Sequence, residues 1–231
     1  MLPTVIIGTL HISTYWTMYV LGGLSMGCLL TRHRDRYSLS VPKALLFTLL
    51  LALCGLMGAK LLCFLENGFV WGGVSFFGSV FLIPPLMGLL GLLFGLRPGR
   101  SLDACAPCVA VMIAFMRFGC FLNGCCGGWE MVLGDFRFFW PTQAMESVGD
   151  FCILALLLRM EERNAHPGNR YAVFMVTYGF LRFFVEFLRD TPKEWLGLGH
   201  GQWFAVISCL IGGALLLRER KAEKKQNQDG K

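Results

Sequence analysis

Four long stretches of the chain contain no aspartate, glutamate, lysine or arginine: residues 1–31, 44–59, 67–96 and 195–217. A helix that crosses a bilayer needs about 20 mostly apolar residues in a row. These stretches predict spans at about 12–31, 44–65, 73–96 and 201–217. Three weaker apolar segments of helical length contain a few charges and lie at about 101–121, 142–160 and 171–189. The sequence therefore predicts an all-α polytopic membrane protein with about seven transmembrane helices.

The composition excludes an ordinary soluble protein. Of the 231 residues, 55% are hydrophobic and only 16% are charged. A soluble domain of this size cannot hide so much apolar surface from water, because its surface is large relative to its volume. Disordered and collagen-like chains are excluded as well, since the sequence is neither polar nor periodic in glycine. A single membrane domain over residues 1–231 is the simplest division, with a basic tail at about 218–231.

The basic residues predict an orientation. The net charge of +6 comes from 21 lysines and arginines, and fifteen of them lie on one side of the predicted spans, near residues 32–43, 97–100 and 159–170 and in the tail. Basic residues accumulate on the cytoplasmic side of membrane proteins. We therefore expect the N-terminus outside and the C-terminus in the cytoplasm, and the positive charge needs no nucleic acid to explain it.

Ten cysteines leave three interpretations open. Cys105 and Cys108 have the spacing of a redox motif, and Cys120, Cys125 and Cys126 follow shortly after. Disulfide chemistry and metal binding are therefore possible uses. Packing is favoured over both, because no histidine accompanies the cluster and cysteine is a common small buried residue.

Ionisable residues in or beside a membrane span are costly and are therefore candidates for function. Arg117 precedes a glycine-rich segment that ends at Gly128, and such a segment can bring backbone N–H groups close to an anion. The sequence from Pro141 to Ser147 is typical of a helix start. At 3.6 residues per turn, one helical face would carry Arg182, Glu186 and Arg189.

Two interpretations of the buried charges remain. Arg117 and Arg182 could converge on a lipid phosphate while Glu186 orients one of them, because a guanidinium matches two phosphate oxygens and stays charged when desolvated. The alternative is an internal ion pair with no ligand. For Asp103, the alternative to a functional role is a position in the first turn of the fourth predicted span.

Seven segments together resemble the bacterial phosphatidylglycerol:prolipoprotein diacylglyceryl transferases. In chain order they are Tyr15-Trp-Thr-Met-Tyr19, Gly58-Ala-Lys60, Ser75-Phe-Phe77-Gly78, Asp103-Ala-Cys-Ala-Pro107, Arg117-Phe-Gly119 with Asn123-Gly124 and Gly128, Pro141-Thr-Gln143 with Glu146-Ser147, and Tyr178-Gly179 with Arg182 and Glu186. Each motif alone is weak, but their order and spacing match the family across most of the chain.

The resemblance implies a multi-pass enzyme of the bacterial inner membrane that needs no cofactor and no metal. Such an enzyme moves the diacylglyceryl group of phosphatidylglycerol to the lipobox cysteine thiol of a preprolipoprotein and releases glycerol phosphate, the first step of lipoprotein maturation. By resemblance, Arg117, Arg182 and Glu186 are catalytic, Glu186 being paired with Arg182. The implied substrate-binding residues are Arg117, Tyr15, Asn123, Gly128, Gln143, Glu146 and Asp103.

The chain departs from the family pattern at three positions. Phe77 replaces a histidine that is proposed as a base in the family, Cys120 replaces an asparagine, and Cys125 replaces an acid. We expect activity to be retained because both arginines and Glu186 are present, with the thiol activated by another group. Two other functions remain as alternatives: a membrane thiol-disulfide oxidoreductase that uses Cys105, Cys108, Cys125 and Cys126, and a lipid-binding protein without catalysis.

Overall fold

The computed structural model describes residues 4–7, 10–134, 136–162, 168–193 and 196–229. Side chains after Arg218, where the basic tail lies, are outside the described part. The described residues form seven α-helices: α1 (Thr14–Arg32), α2 (Val41–Glu66), α3 (Phe76–Leu90), α4 (Pro98–Asn123), α5 (Thr142–Glu162), α6 (Asn169–Val185) and α7 (His200–Asp229). Each segment predicted as a span falls on one of them.

Five of these helices are long and apolar enough to cross a membrane. They are α2, α3 with the turn that continues it to Phe94, α4, α6 with the turn that continues it to Leu188, and α7 as far as Arg218. The prediction of a helical multi-pass membrane protein is confirmed. Helices α1 and α5 match predicted spans in position but are not among the five, so seven crossings remain a prediction.

Two short antiparallel hairpins accompany the helices and were not predicted from sequence. The strands β1 (Thr4–Ile7) and β2 (Leu10–Ser13) precede α1, and β3 (Glu130–Leu133) and β4 (Phe136–Phe139) lie between α4 and α5. Gly134 follows β3 with φ +62°, a conformation that glycine adopts readily in two-residue hairpin turns. Strands of four residues carry too short a pattern to stand out beside long apolar helices.

Helix α4 lies at the centre of the molecule. It packs against α1, α3, α5 and α6, and small side chains fill its middle. Cys105 and Cys108 are completely buried there beside Ala104, Ala106 and Ala110. Their position agrees with the packing role that the sequence favours for these two cysteines.

Helices α2 and α3 touch through their backbones at two glycines. A Cβ atom on Gly58 would collide with the carbonyl group of Gly78, and one on Gly78 would collide with the carbonyl group of Gly58. Small residues allow such close helix contacts in membranes, where van der Waals packing drives helix association. Both glycines belong to motifs that carry the family resemblance.

Helix α3 contains two prolines, and a neighbouring helix compensates for one of them. Pro84 has no N–H to donate to the carbonyl of Val80, its partner in a regular α-helix. The hydroxyl of Tyr171, in α6, donates to that carbonyl oxygen at 2.9 Å. A bilayer supplies no water for this purpose, so the tyrosine stabilises the proline-containing helix.

Candidate functional site

A buried carboxylate in α5 is the centre of a cluster of arginines. Glu146, with a side-chain exposure of 2%, forms ion pairs with Arg117 of α4 and Arg182 of α6. A third guanidinium, that of Arg189, lies 3.6 Å from Glu146 Oε1. Three segments that are distant in the sequence therefore bring positive charge to one carboxylate, and the two arginines identified from sequence meet at it.

A second carboxylate, that of Glu186, binds Arg182 from the other side. Arg182 Nη2 lies 2.7 Å from Glu186 Oε2. The hydroxyl of Thr191 donates to Glu186 Oε1 at 3.0 Å, and a Cβ atom added to Gly201 of α7 would lie 3.1 Å from the same oxygen. Glu186 is therefore fixed between α6 and α7, where it can hold Arg182 in place.

The helical face expected for Arg182, Glu186 and Arg189 is interrupted. Helix α6 ends at Val185, a tighter 3₁₀ turn covers Glu186–Leu188, and Arg189 has an extended backbone with φ −96° and ψ 144°. The three side chains still reach one cluster, because the turn directs Arg189 toward α5.

The cluster contains more guanidinium groups than paired carboxylates, with three arginines around Glu146 and Glu186. Burial lowers the pKa of Arg189, and the nearby positive charges of Arg182 and Arg117 lower it further. Three guanidinium groups close together favour an anionic ligand, and arginine is the side chain best suited to phosphate.

Two further buried groups lie near the arginines: Asp150, which the sequence analysis missed, and Tyr178, which it named in a motif without giving it a role. Asp150 is completely buried, and neither of its carboxylate oxygens has a hydrogen-bond partner among the described residues. The hydroxyl of Tyr178 has none in the described part of the chain either, and both residues interact electrostatically with Arg117 and Arg182. Asp150 lies four residues after Glu146, so its position on the same helical face is the signal that could have identified it.

The glycine-rich segment after α4 uses its N–H groups within the fold. The N–H groups of Gly124 and Cys125 donate to the carbonyl of Cys120, at 2.9 and 3.2 Å. That of Gly128 donates to Trp140 and that of Trp129 to Leu188, both at 2.9 Å. These four groups are therefore not available to an anion, and the arginine side chains are the observed positive groups here.

The start of α5 fixes the glycine-rich segment beside the arginines. Helix α5 begins at Thr142, which confirms the helix start predicted from Pro141 onward. Gln143 Nε2 donates to the carbonyl of Cys125 at 2.5 Å, and the Thr142 hydroxyl donates to that of Cys126 at 3.2 Å. Gly128 forms an isolated antiparallel bridge with Arg189. Gln143 and Gly128 therefore lie close to the arginine cluster around Glu146.

Tyr15 and Asn123 lie at the same end of α4. Asn123 is the last residue of this helix and is half-buried. Tyr15 is in the first turn of α1, and its carbonyl oxygen would lie 3.5 Å from a Cβ atom on Gly119. Tyr15 also interacts electrostatically with Cys120, Cys125 and Cys126. Both residues therefore lie beside the segment that leads to the arginines.

Asp103 lies apart from the other candidate residues. It is fourteen positions before Arg117 in α4, about 21 Å along the helix at 1.5 Å per residue. Its carboxylate accepts the backbone N–H groups of Gly168 and Arg170 at 2.8 and 3.0 Å. Asp103 therefore caps the start of α6 rather than that of its own helix.

Phe77 contributes an apolar wall next to the cluster. Its ring is 5% exposed and lies 5.7 Å from that of Tyr178 and 5.9 Å from that of Phe204, measured between ring centroids. A phenyl ring cannot accept a proton, so a base must be found elsewhere among the neighbouring groups.

Three cysteines meet at the C-terminal end of α4. The sulfur atoms of Cys120, Cys125 and Cys126 all lie within 4.8 Å of one another. A hydrogen bond from Cys120 lowers the pKa of Cys126 to about 5, and the positive charges of Arg189 and Arg117 lower it as well, while burial opposes them.

All ten cysteines lie in the described part of the chain, and no disulfide joins them. The oxidoreductase alternative uses Cys105 and Cys108 together with Cys125 and Cys126. Cys105 lies about 22 Å along α4 from Cys120, which is beside the second pair, so the two pairs form no single cluster.

Comparison with known proteins identifies relatives over most of the chain. A family model described as prolipoprotein diacylglyceryl transferase matches residues 3–218. The phosphatidylglycerol–prolipoprotein diacylglyceryl transferase 2 of Clostridium perfringens is 30% identical, and the match covers 92% of each chain. The corresponding transferase of Bordetella avium is 32% identical over 66% of this chain and 63% of its own.

Proposed function

The chain belongs to the prolipoprotein diacylglyceryl transferase family, and on this basis we propose that it transfers the diacylglyceryl group of phosphatidylglycerol to the lipobox cysteine thiol of preprolipoproteins. Glycerol phosphate is the leaving group. The observation that carries the proposal at residue level is the meeting of Arg117 and Arg182 at one buried carboxylate, that of Glu146.

The arginines match the electrostatic demand of this reaction. A carbon–oxygen bond to the glyceryl group breaks, and the departing phosphate gains negative charge. Fixed positive groups in a site with little water stabilise such charge more strongly than water does. Arg117 and Arg182 are proposed for this role. Glu146 and Glu186 hold them in position, so that no rearrangement is needed when the charge develops.

The remaining residues take supporting roles in the proposal. Tyr15, Asn123, Gly128 and Gln143 contribute to the substrate-binding region, since they lie at the end of α4 or beside the arginines. The contacts of Asp103 favour a structural role at the start of α6 over the substrate contact that the resemblance implies.

The proposed topology has seven crossings, with the N-terminus outside and the C-terminus in the cytoplasm of a bacterial inner-membrane protein. The uneven distribution of lysine and arginine supports this orientation. With seven crossings, α4 and α6 end and α5 begins on the outer side. The arginine cluster would then face the outer leaflet, where a lipoprotein precursor presents its cysteine after export.

A transfer assay tests the proposal. Purified protein is incubated with phosphatidylglycerol vesicles and a lipobox peptide, and both released glycerol phosphate and the mass of the peptide are measured. We expect release together with a gain of one diacylglyceryl group. Arg182→Ala should abolish both, whereas Cys105→Ser, in the core of α4, should retain them. Folded protein that produces neither signal would contradict the proposal and favour a non-catalytic lipid-binding protein.

A Phe77→His variant shows whether the missing histidine limits the reaction. Because the Phe77 ring lies among other aromatic rings, we expect the variant to transfer at a rate close to that of the parent. A large gain would mean that the parent lacks an effective base and is impaired or has another task.

A further inference from the structure

The proposed reaction needs a group that removes a proton from the substrate thiol. A free cysteine thiol has a pKa of about 8.5, and only its thiolate is a good nucleophile. Glu146 and Glu186 are engaged by arginines, Asp150 is completely buried inside the helix bundle, and Phe77 cannot accept a proton. Coordination to a metal ion is another way to deprotonate a thiol at neutral pH.

The cysteine triad, Cys120 with Cys125 and Cys126, has the composition of such a metal site. Its three sulfur atoms lie within 4.8 Å of one another. Sulfur ligands bind zinc at about 2.3 Å, which places tetrahedral partners about 3.8 Å apart. The sulfur separations in the structure therefore exceed that distance by no more than about 1 Å. Thiolates select zinc and copper(I) over hard cations such as magnesium.

The backbone presents the three sulfurs from a well-supported turn. Cys120 is in the last turn of α4, and Gly124 ends this helix with φ +77°. The carbonyl of Cys125 accepts a hydrogen bond from Gln143, and that of Cys126 accepts one from Thr142. These bonds tie the turn to α5, the helix that carries Glu146, so the triad is positioned relative to the arginines.

Exposure differs across the triad in the way an open coordination site requires. Cys120 is 8% exposed, Cys125 is half-buried and Cys126 is exposed. An ion bound here would have protein sulfur on its inner side and an accessible outer side. Catalytic zinc sites have three protein ligands and one such open position, whereas structural sites are closed by four. Arg117 and Arg189 lie close enough to offset part of the thiolate charge.

We propose that Cys120, Cys125 and Cys126 bind a zinc-class metal ion whose fourth coordination position receives the substrate thiol. The proposal rests on the transferase function proposed above. It departs from the metal-free enzyme that the family resemblance implies, and it uses two positions, 120 and 125, at which this chain differs from the family pattern.

The proposed step is an alkylation of the substrate thiol. The substrate thiol binds the ion and releases its proton to solvent. The thiolate sulfur then attacks the glyceryl carbon of the lipid, a sulfur–carbon bond forms, and the bond from that carbon to the phosphate oxygen breaks. The bonding electrons leave with the phosphate oxygen, whose charge Arg117 and Arg182 stabilise. The thioether product is a weaker ligand than the thiolate, so it dissociates and the ion remains on the protein.

Metal binding is tested without reference to activity. Reduced, detergent-purified protein is titrated with Co²⁺, which gives sulfur charge-transfer absorption on thiolate binding, and with Zn²⁺ in competition. We expect one equivalent to bind, and we expect Cys126→Ser to remove the signal while Cys28→Ser, an exposed cysteine in α1, retains it. A lipobox peptide should change the cobalt spectrum, and the same peptide with alanine in place of cysteine should not.

Activity measurements separate the two proposals. Removal of zinc with a chelator should lower the transfer rate about 100-fold, the scale of a lost proton-transfer group, and added Zn²⁺ but not Mg²⁺ should restore it. Failure of the unmodified protein to bind Co²⁺ or Zn²⁺ overturns the site, whatever the behaviour of the variants. Equal transfer with and without metal overturns the activation step and leaves the transferase function intact. Absence of transfer in both forms overturns the transferase function instead, while the cobalt titration still reports on the site.

Discussion

Arg182 Nη2 lies 2.7 Å from Glu186 Oε2, four residues further along the chain. The other terminal nitrogen of the same guanidinium pairs with the carboxylate of Glu146. One planar group therefore joins α5 to the turn that follows α6. This double contact fixes the orientation of the guanidinium, which a single ion pair would leave free to rotate.

Replacement of Arg182 by lysine should impair transfer although it keeps the charge. An ammonium group is a compact point charge and cannot reach both Glu146 and Glu186 in the geometry of a guanidinium. We expect Arg182→Lys to lower kcat/KM about 100-fold, the scale of a lost transition-state contact. Arg137→Lys, at an exposed position in β4, is the matched control and should leave kcat/KM unchanged.

Neutralisation of Glu146 should destabilise the protein. Glu146→Gln leaves three buried arginines with one fewer carboxylate, and removal of one partner of a buried ion pair costs about 3–5 kcal/mol. The free energy of unfolding in detergent micelles measures this loss. Added glycerol phosphate should recover part of it if an anion binds the arginines. Glu130→Gln, which removes an exposed ion pair, is the control. A comparable loss of unfolding free energy in this variant would contradict the stabilising role of the buried Glu146.

Asp103 should matter for folding rather than for catalysis. Asp103→Ala removes the acceptor of two backbone N–H groups at the start of α6 and also the carboxylate that lies 4.0 Å from Arg170 Nε; loss of such a cap alone costs about 1–2 kcal/mol. We expect a lower free energy of unfolding with kcat/KM unchanged. A fall in kcat/KM at full stability would instead support the substrate contact that the resemblance implies.

The hydrogen bond from Tyr171 to Val80 should depend on Pro84. Tyr171→Phe removes the donor to the carbonyl that the proline leaves unpaired, with an expected cost of about 1 kcal/mol in a membrane protein. In a Pro84→Ala background the helix supplies its own N–H, so the same substitution should cost less. A double-mutant cycle on the free energy of unfolding measures the difference, and additive effects would show that the two residues are independent.

The helices could be predicted from sequence because a bilayer imposes a minimum length on apolar segments. All seven predicted segments coincide with helices, and the start of α5 was also predicted, because Pro141 stands just before it. The hairpins could not be predicted, because four-residue strands have no comparable length requirement.

The candidate residues were predicted more fully than their arrangement. Arg117, Arg182 and Glu186 were recognisable because charge within an apolar segment is conspicuous. The position of Glu146 at the centre of the arginine cluster could not be predicted, since it depends on how α4, α5 and α6 pack against one another. Spacing along one helix carries no information about distances between helices, and for that reason the contact of Arg189 with Glu146 was also missed.

The contact between Gly58 and Gly78 places two adjacent motif residues under different constraints. At position 78 any side chain would strike the backbone of α2, so steric exclusion alone dictates glycine. The ring at position 77 packs against the side chains of Tyr178 and Phe204, and such neighbours can adjust to a new ring. Substitution can therefore exchange the chemistry at residue 77 while the helix pair stays intact. The loss of a histidine from this motif is accordingly no sign of a damaged fold.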